Sequence, residues 1–235
     1  MEVVELENEE EAADRAGEEL NSIFSKNEGK HILFISSGGS SLKLVDTIQK
    51  EYINPFLTVA MTDERYSEDS SINNFAQLIE TEFAGIATKQ GVKWIDTRVQ
   101  GRTLQELARD FESELRTWKE SNPDGIIVMT QGMGPDGHTC GIMPYPENRE
   151  SFATLFEDSE RWVRGYDARN KNEFSERITI TLPFLREMVH YSIVYIVGEE
   201  KRAAFEKVEL EKGELYITPA RIMSQMKQVT IYTSL

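Results

Sequence analysis

The chain has 235 residues, 39% hydrophobic and 29% charged, with a formal net charge of −15. That apolar share supplies a sizeable core and excludes general disorder. The negative field repels phosphate backbones and anionic lipid, so neither nucleic acid nor a membrane is an expected partner, and a small anionic substrate needs a local basic pocket.

Cys140 is the one cysteine, so no intrachain disulfide is expected, which suits a reducing, cytoplasmic compartment. The acidic N-terminal stretch "MEVVELENEEEAADRAGEEL" lacks a basic region followed by an apolar run and is not expected to be a signal peptide. No stretch approaches the roughly 18 apolar residues of a membrane span.

In chain order, Ala12, Ala13, Ala16, Leu20, Ile23 and Phe24 fall at helical spacing. "HILFIS" (31–36) predicts a buried strand and is followed by the turn "SGGSS" (37–41). Leu42, Val45, Ile48 and Tyr52 then predict a helix, giving the opening of an α/β unit. "FLTVAM" (56–61) predicts a second strand, ending at "TDERY" (62–66), with one helix expected through Ile72, Phe75, Ile79 and Phe83. "VKWID" (92–96) is a short candidate strand. A helix starts at Thr103, where Thr103 and Glu106 form a capping-box pattern, and its apolar face is Leu104, Leu107, Phe111, Leu115 and Trp118. "NPDG" (122–125) stops it before the strand "IIVMT" (126–130).

Beyond the loop at 131–144, strands are expected at "RWVRGY" (161–166), the alternating "RITITL" (177–182), "YSIVYIVG" (191–198) and "VTIYT" (229–233), with a helix over 199–210. Irregular structure is expected in 143–176. Continuous apolar strands alternating with amphipathic helices predict a mainly parallel sheet covered on both faces, read as one α/β domain over residues 1–235.

Ligands of open parallel sheets bind beyond the carboxyl ends of the strands, and the polar clusters gather there. In Gly38-Gly39-Ser40-Ser41, glycines free backbone N–H groups and hydroxyls add donors, which makes an anion site or, equally, an ordinary turn with a serine cap. The spacing matches neither a Walker motif nor a dinucleotide fingerprint. Arg65 offers a fork for a phosphate and Asp63 a partner for it or for a sugar hydroxyl; the plainer alternative is a surface ion pair. In the loop "GMGPDGHT" (132–139), Gly134 belongs to a glycine-rich approach to His138, whose neutral imidazole is a competent base near neutral pH, and Asp136 stands two residues away to fix its tautomer or help activate water; a structural histidine is the plainer alternative. Lys201, at the start of a predicted helix, opposes the helix dipole, which an anion nearby would offset; a solvated surface lysine is the alternative. Arg177 either joins the site or is simply exposed. His31 and His190 read as structural, and three histidines with an isolated cysteine show no metal-ligand spacing.

These blocks together resemble the glucosamine-6-phosphate isomerase/6-phosphogluconolactonase family, on its lactonase side. "GMGPDGHT" is similar to the signature loop, "SGGSS" to the phosphate loop and "DER" (63–65) to the lactonase triplet. Asn74 falls near a downstream Ser-Asn, and "RITITLP", "VGEEK" and "TPARI" (218–222) resemble later blocks. The resemblance implies a three-layer αβα sandwich with a modified Rossmann-like, mainly parallel sheet. It implies hydrolysis of 6-phosphoglucono-δ-lactone to 6-phosphogluconate in the oxidative pentose phosphate pathway, with no metal or organic cofactor. His138 is then the base that deprotonates water. Gly38, Gly39, Ser40, Arg65 and Lys201 lie around the phosphate, and Arg177 is a further contributor. A monomer or small homo-oligomer is expected.

The chain departs from lactonase habit after His138-Thr139, where Cys140-Gly141-Ile142-Met143-Pro144 replaces Ala-Ser-Leu-Phe-Pro. An amino-sugar phosphate isomerase/deaminase is the first alternative, but such enzymes carry Asp-Glu-Tyr in place of Asp63-Glu64-Arg65, and a glutamate where this chain has Met143. A non-catalytic sugar-phosphate binding protein is the second, and retention of both Asp136 and His138 speaks against it.

Overall fold

The buried apolar runs become strands. In the computed structural model, which describes residues 1–235 apart from the side chain of residue 170, the first half holds β1 (Glu2–Glu5), β2 (Ile32–Ser36), β3 (Leu57–Met61), β4 (Asp63–Arg65) and β5 (Lys93–Trp94). The second half holds β6 (Ile126–Gln131), β7 (Val163–Asp167), β8 (Glu176–Ile180), β9 (Tyr191–Ile196) and β10 (Gln228–Thr233). Seven strands form a sheet in the order β1-β10-β9-β6-β2-β3-β5, with every pairing parallel. The others form a small antiparallel sheet in the order β4-β8-β7.

The helices are α1 (Glu9–Lys26), α2 (Asn74–Ile79), α3 (Glu82–Lys89), α4 (Leu104–Ser121), α5 (Arg149–Phe156), α6 (Leu182–Glu187) and α7 (Arg202–Glu209). Successive strand residues point to opposite faces, and the core divides accordingly. Ile32, Phe34, Val128, Ile193 and Tyr195 pack with Leu20 and Phe24 of α1, Phe75 of α2 and Phe83 of α3. Leu33, Ile35, Ile127, Met129 and Val194 pack with Leu107 and Phe111 of α4, Phe152 of α5, Leu185 of α6 and Phe205 of α7. The result is the expected αβα sandwich, with the small sheet added on the second face.

From β2 the chain moves to β3 on one side and later returns to β6 on the other. The crevice of a parallel sheet opens at such a switch point, at the carboxyl ends of its strands. The loops 37–41 and 132–139 leave β2 and β6 at this place. They are stitched together: the Ser37 N–H donates to Thr130 Oγ1 at 3.1 Å, and the Ser41 hydroxyl donates to the Gln131 carbonyl at 3.1 Å.

Several elements differ from the sequence expectation. The helix expected through Leu42–Tyr52 is two 3₁₀ segments, Gly39–Thr47 and Lys50–Tyr52. Asn21 of α1 explains the break: its amide donates to the Thr47 carbonyl and accepts from the Gln49 N–H, both at 2.8 Å, taking backbone groups that a continuing helix would use. The helix expected from Ile72 to Phe83 is split into α2 and α3, because Thr81 caps α3 by accepting from the Ala84 N–H while Asp46 accepts from the Phe83 N–H. The "RITITL" strand lies in the small sheet, and its threonines are buried as deeply as its isoleucines. Their hydroxyls donate to carbonyls, Thr179 to Cys140 and Thr181 to Arg161. The 143–176 segment carries α5 and β7 between its irregular parts, and β1 was unforeseen.

The capping box on α4 is complete. Thr103 Oγ1 accepts from the Glu106 N–H, and the Glu106 carboxylate accepts from the Thr103 N–H. Thr103→Ala is expected to cost about 1 kcal/mol and to lower Tm by about 2–4 °C, as measured by calorimetry.

Candidate active site

A polar cavity of about 190 Å³ lies over the switch point. Its walls come from the glycine loop after β2, the loop after β6, strands β4 and β8 of the small sheet, Asn74 at the start of α2, and Lys201 after β9.

The loop after β6 is built around one ring. A Cβ on Gly134 would stand 2.1 Å from His138 Cε1, so only glycine leaves room for the imidazole. The Gly134 N–H donates to the His138 carbonyl at 2.9 Å and the Gly137 N–H to the Gly134 carbonyl at 3.0 Å, closing a tight turn with Gly137 at φ +83°. His138 Nδ1 lies 2.6 Å from Asp136 Oδ1, which also accepts from the His138 N–H at 3.1 Å. Burial opposes ionisation of Asp136, but the hydrogen bonds and charge of His138 outweigh it and hold this carboxyl below its ordinary value. An ionised Asp136 accepts a hydrogen bond from Nδ1–H, which keeps the proton on Nδ1 and leaves Nε2 as the ring's acceptor.

The same cavity has cationic lining residues. Asp63 Oδ2 accepts from Arg177 at 3.0 Å, and both side chains are buried. Arg177 is 4% exposed, so its reading as a surface residue is overturned. Asp63 Oδ1 accepts from the Thr62 hydroxyl at 2.9 Å, so the triplet is not a surface ion pair. Arg65 stands directly opposite Arg177 in the β4–β8 ladder. Lys201 is 9% exposed, and its Nζ donates to Ser40 Oγ at 3.4 Å, so it is not a solvated surface lysine. Burial pushes its ammonium below the ordinary value, against the pull of Glu200 and Glu9.

Glu64 turns away from the cavity. It accepts from the N–H groups of Arg65 at 2.8 Å, Asn74 at 2.6 Å and Phe75 at 2.9 Å, and from the Thr97 hydroxyl at 2.9 Å. Complete burial nevertheless raises its carboxyl to about 7. The side chain thereby fixes the start of α2 against β4.

Of the residues singled out in the sequence, Gly38, Gly39, Ser40, Asp63, Arg65, Gly134, His138, Arg177 and Lys201 line the cavity. Asp136 reaches it through His138. Ser41 does not line it, because its hydroxyl is spent on the Gln131 carbonyl. His31 and His190 precede β2 and β9, at the opposite edge of the sheet; His31 packs edge-on to Phe56 and His190 Nδ1 accepts from the Ile127 N–H.

Asn74 is the wall residue that the sequence reading placed only by resemblance. Its Nδ2 donates to the Asp63 carbonyl at 3.0 Å, and a Cβ on Gly38 would meet its Oδ1 at 2.7 Å. Among the described residues, Arg65 Nε, Asn74 Oδ1 and Arg177 Nε are buried without a hydrogen-bond partner, concentrating unsatisfied polar atoms around this cavity. Among the described residues, no group of three or more His, Cys, Asp or Glu is placed to hold a metal ion, and no helix is long and apolar enough to cross a membrane.

A polar, cation-rich crevice at the switch point of a parallel α/β sheet defines the general class. Residues 7–232 match the family described as glucosamine-6-phosphate isomerases/6-phosphogluconolactonase, and the chain belongs to that family. A 6-phosphogluconolactonase of Mesorhizobium japonicum is 27% identical over 180 residues, covering 76% of this chain and 71% of its own length. A probable 6-phosphogluconolactonase of Drosophila melanogaster is 29% identical over 218 residues, covering 88% of this chain and 82% of its own. The fold matches a 6-phosphogluconolactonase structure from Leishmania guyanensis with a TM-score of 0.77 at 19% identity, over 99% of this chain and 95% of that one.

Removing one member of a buried ion pair leaves the other charge unpaired. Asp63→Ala is therefore expected to destabilise the protein by about 3–5 kcal/mol, read from the midpoint of urea unfolding.

Proposed function

We propose that this protein hydrolyses 6-phosphoglucono-δ-lactone to 6-phosphogluconate, with His138 as general base. The observation that carries the reading is the 2.6 Å contact of His138 Nδ1 with Asp136 in a cavity whose lining His138 shares with Arg65, Arg177 and Lys201. A lactone is an activated ester, so a base and charge stabilisation suffice without a side-chain nucleophile. His138 Nε2 takes a proton from water as the water oxygen bonds to the lactone carbonyl carbon. The tetrahedral intermediate then collapses, the bond from that carbon to the ring oxygen breaks, and the ring oxygen leaves as a hydroxyl with the proton returned by His138. The imidazolium between these steps is stabilised by Asp136.

Arg65 and Lys201 anchor the phosphate remote from the carbonyl, together with the Gly38-Gly39-Ser40 backbone, and so position the reacting bond. Arg177 adds positive potential through a charge already neutralised in part by Asp63. The deaminase alternative would place a supporting glutamate at position 143, where this chain buries a methionine completely. In this reading residues 1–235 act as one catalytic domain, as a monomer or small homo-oligomer, in the cytoplasm.

The test is hydrolysis of freshly made 6-phosphoglucono-δ-lactone, corrected for spontaneous opening. His138→Ala is expected to lower kcat by about 10²–10⁴-fold, the usual share of a positioned base; equal rates would falsify the mechanism. Ammonia released from glucosamine 6-phosphate would move the assignment to the deaminase. Gly134→Ala forces the imidazole from its place. It is expected to lower kcat at least tenfold while the far-UV circular dichroism of the folded protein is retained.

A further inference from the structure

The two arginines of the cavity wall present an electrostatic problem. Arg65 and Arg177 are paired directly across the β4–β8 ladder, and like charges so placed repel. Asp63 neutralises only Arg177. Arg65 has no carboxylate within ion-pair distance among the described residues; its guanidinium donates to the Ile72 carbonyl at 3.3 Å, and its Nε is buried without a partner.

A short segment ahead of β8 supplies what is missing. The Arg65 guanidinium lies over the Phe174 ring, 4.7 Å from its centroid. The same segment holds the second arginine: Arg177 donates to Asn172 Oδ1 at 3.2 Å and to the Phe174 carbonyl at 3.4 Å. Asn172 in turn accepts from the Phe174 N–H at 3.1 Å, which fixes the turn that presents the ring. Phe174 is half-buried and does not line the cavity. An aromatic face attracts a cation without consuming its forked donors. A carboxylate in the same place would occupy those donors and cancel the charge.

We propose that Phe174 is a positioning residue for substrate binding: its ring holds the Arg65 guanidinium beside Arg177, with its charge uncancelled, so that the pair receives the phosphate of the substrate. The inference rests on the proposed function for the identity of that substrate, but a phosphate group alone suffices to test it.

Phe174→Leu keeps an apolar side chain and removes the π face, whereas Phe174→Tyr keeps both. Inorganic phosphate is the probe, its Kd measured by calorimetry on the full chain, and KM and kcat for the lactone are measured beside it. Phe174→Leu is expected to weaken phosphate binding and raise KM together by about 2- to 30-fold, the range of a cation–π contact, with kcat within about twofold. Phe174→Tyr is expected to match the wild type. In an Arg65→Ala background, Phe174→Leu is expected to have no further effect on phosphate.

Unchanged phosphate binding in Phe174→Leu overturns the proposal, as does equal loss in Phe174→Tyr, or an effect that persists without Arg65. Wild-type protein that binds no phosphate overturns it too. Wild-type protein that binds phosphate but does not hydrolyse the lactone overturns the proposed function instead, and leaves the Phe174 comparison readable.

Discussion

The buried pair of Asp63 and Arg177 joins the two sheets. Asp63 begins the strand that follows β3, and Arg177 stands near the start of β8, so their 3.0 Å contact ties the small antiparallel sheet to the carboxyl edge of the parallel one. Backbone bonds continue the join: the Thr62 N–H donates to the Ser36 carbonyl and the Ile180 N–H to the Thr62 carbonyl. Well-packed apolar side chains would hold such a seam at least as firmly, since desolvating two charges offsets much of their attraction. What the ionic seam adds is a guanidinium fixed in the cavity wall. Stability at the seam and chemistry at the site therefore share the same atoms.

That sharing explains how a chain of net charge −15 keeps an anion-receptive cleft. Arg65, Arg177 and Lys201 converge on one cavity with Asp63 as the carboxylate in its lining. Within a partly dry cleft their field is less screened than the acidic surface outside. The neighbouring Glu64 does not cancel it. Its carboxyl is turned into the start of α2, surrounded by four donors, and its pKa near 7 reflects the cost of holding a charge there. Sequence adjacency of Asp63, Glu64 and Arg65 thus conceals three different environments on one short strand.

The legible parts of this fold are those whose causes are local. Strands β2, β3, β6 and β9 are mostly apolar, nearly continuously buried runs because helices cover both faces, and α4 carries its capping box in four consecutive residues. The loop "GMGPDGHT" was legible for the same reason: Gly134, Asp136 and His138 interact within five residues. The obscure parts depend on distant partners. Asn21 interrupts the helix expected after the glycine loop from 26 residues away, as measured to Thr47. Arg177 stayed open between site and surface because its partner Asp63 is 114 positions upstream. Strand β1 has only two apolar residues, and its place is decided by β10 at the far end of the chain. Phe174 and Asn172 carried no pattern at all, since their meaning comes from arginines brought together by the ladder.

The stretch "CGIMP", where this chain leaves the sequence habit of the lactonases it resembles, shows how the histidine loop and the cationic lining are connected. Cys140 and Gly141 turn with φ of +50° and +72°, and the turn closes with the Ile142 N–H donating to the Thr139 carbonyl at 2.8 Å. A Cβ on Gly141 would stand 2.6 Å from that of Asp63, so the glycine answers both a backbone demand and a steric one. The Cys140 carbonyl accepts from the Thr179 hydroxyl and the Gly141 carbonyl from the Tyr166 hydroxyl, fixing the turn to β8 and β7. The histidine loop is therefore docked against the carboxylate that aims Arg177. Base and cations are held in one frame by a two-residue turn, and a bulkier residue at position 141 would disturb the cationic wall before it touched the imidazole.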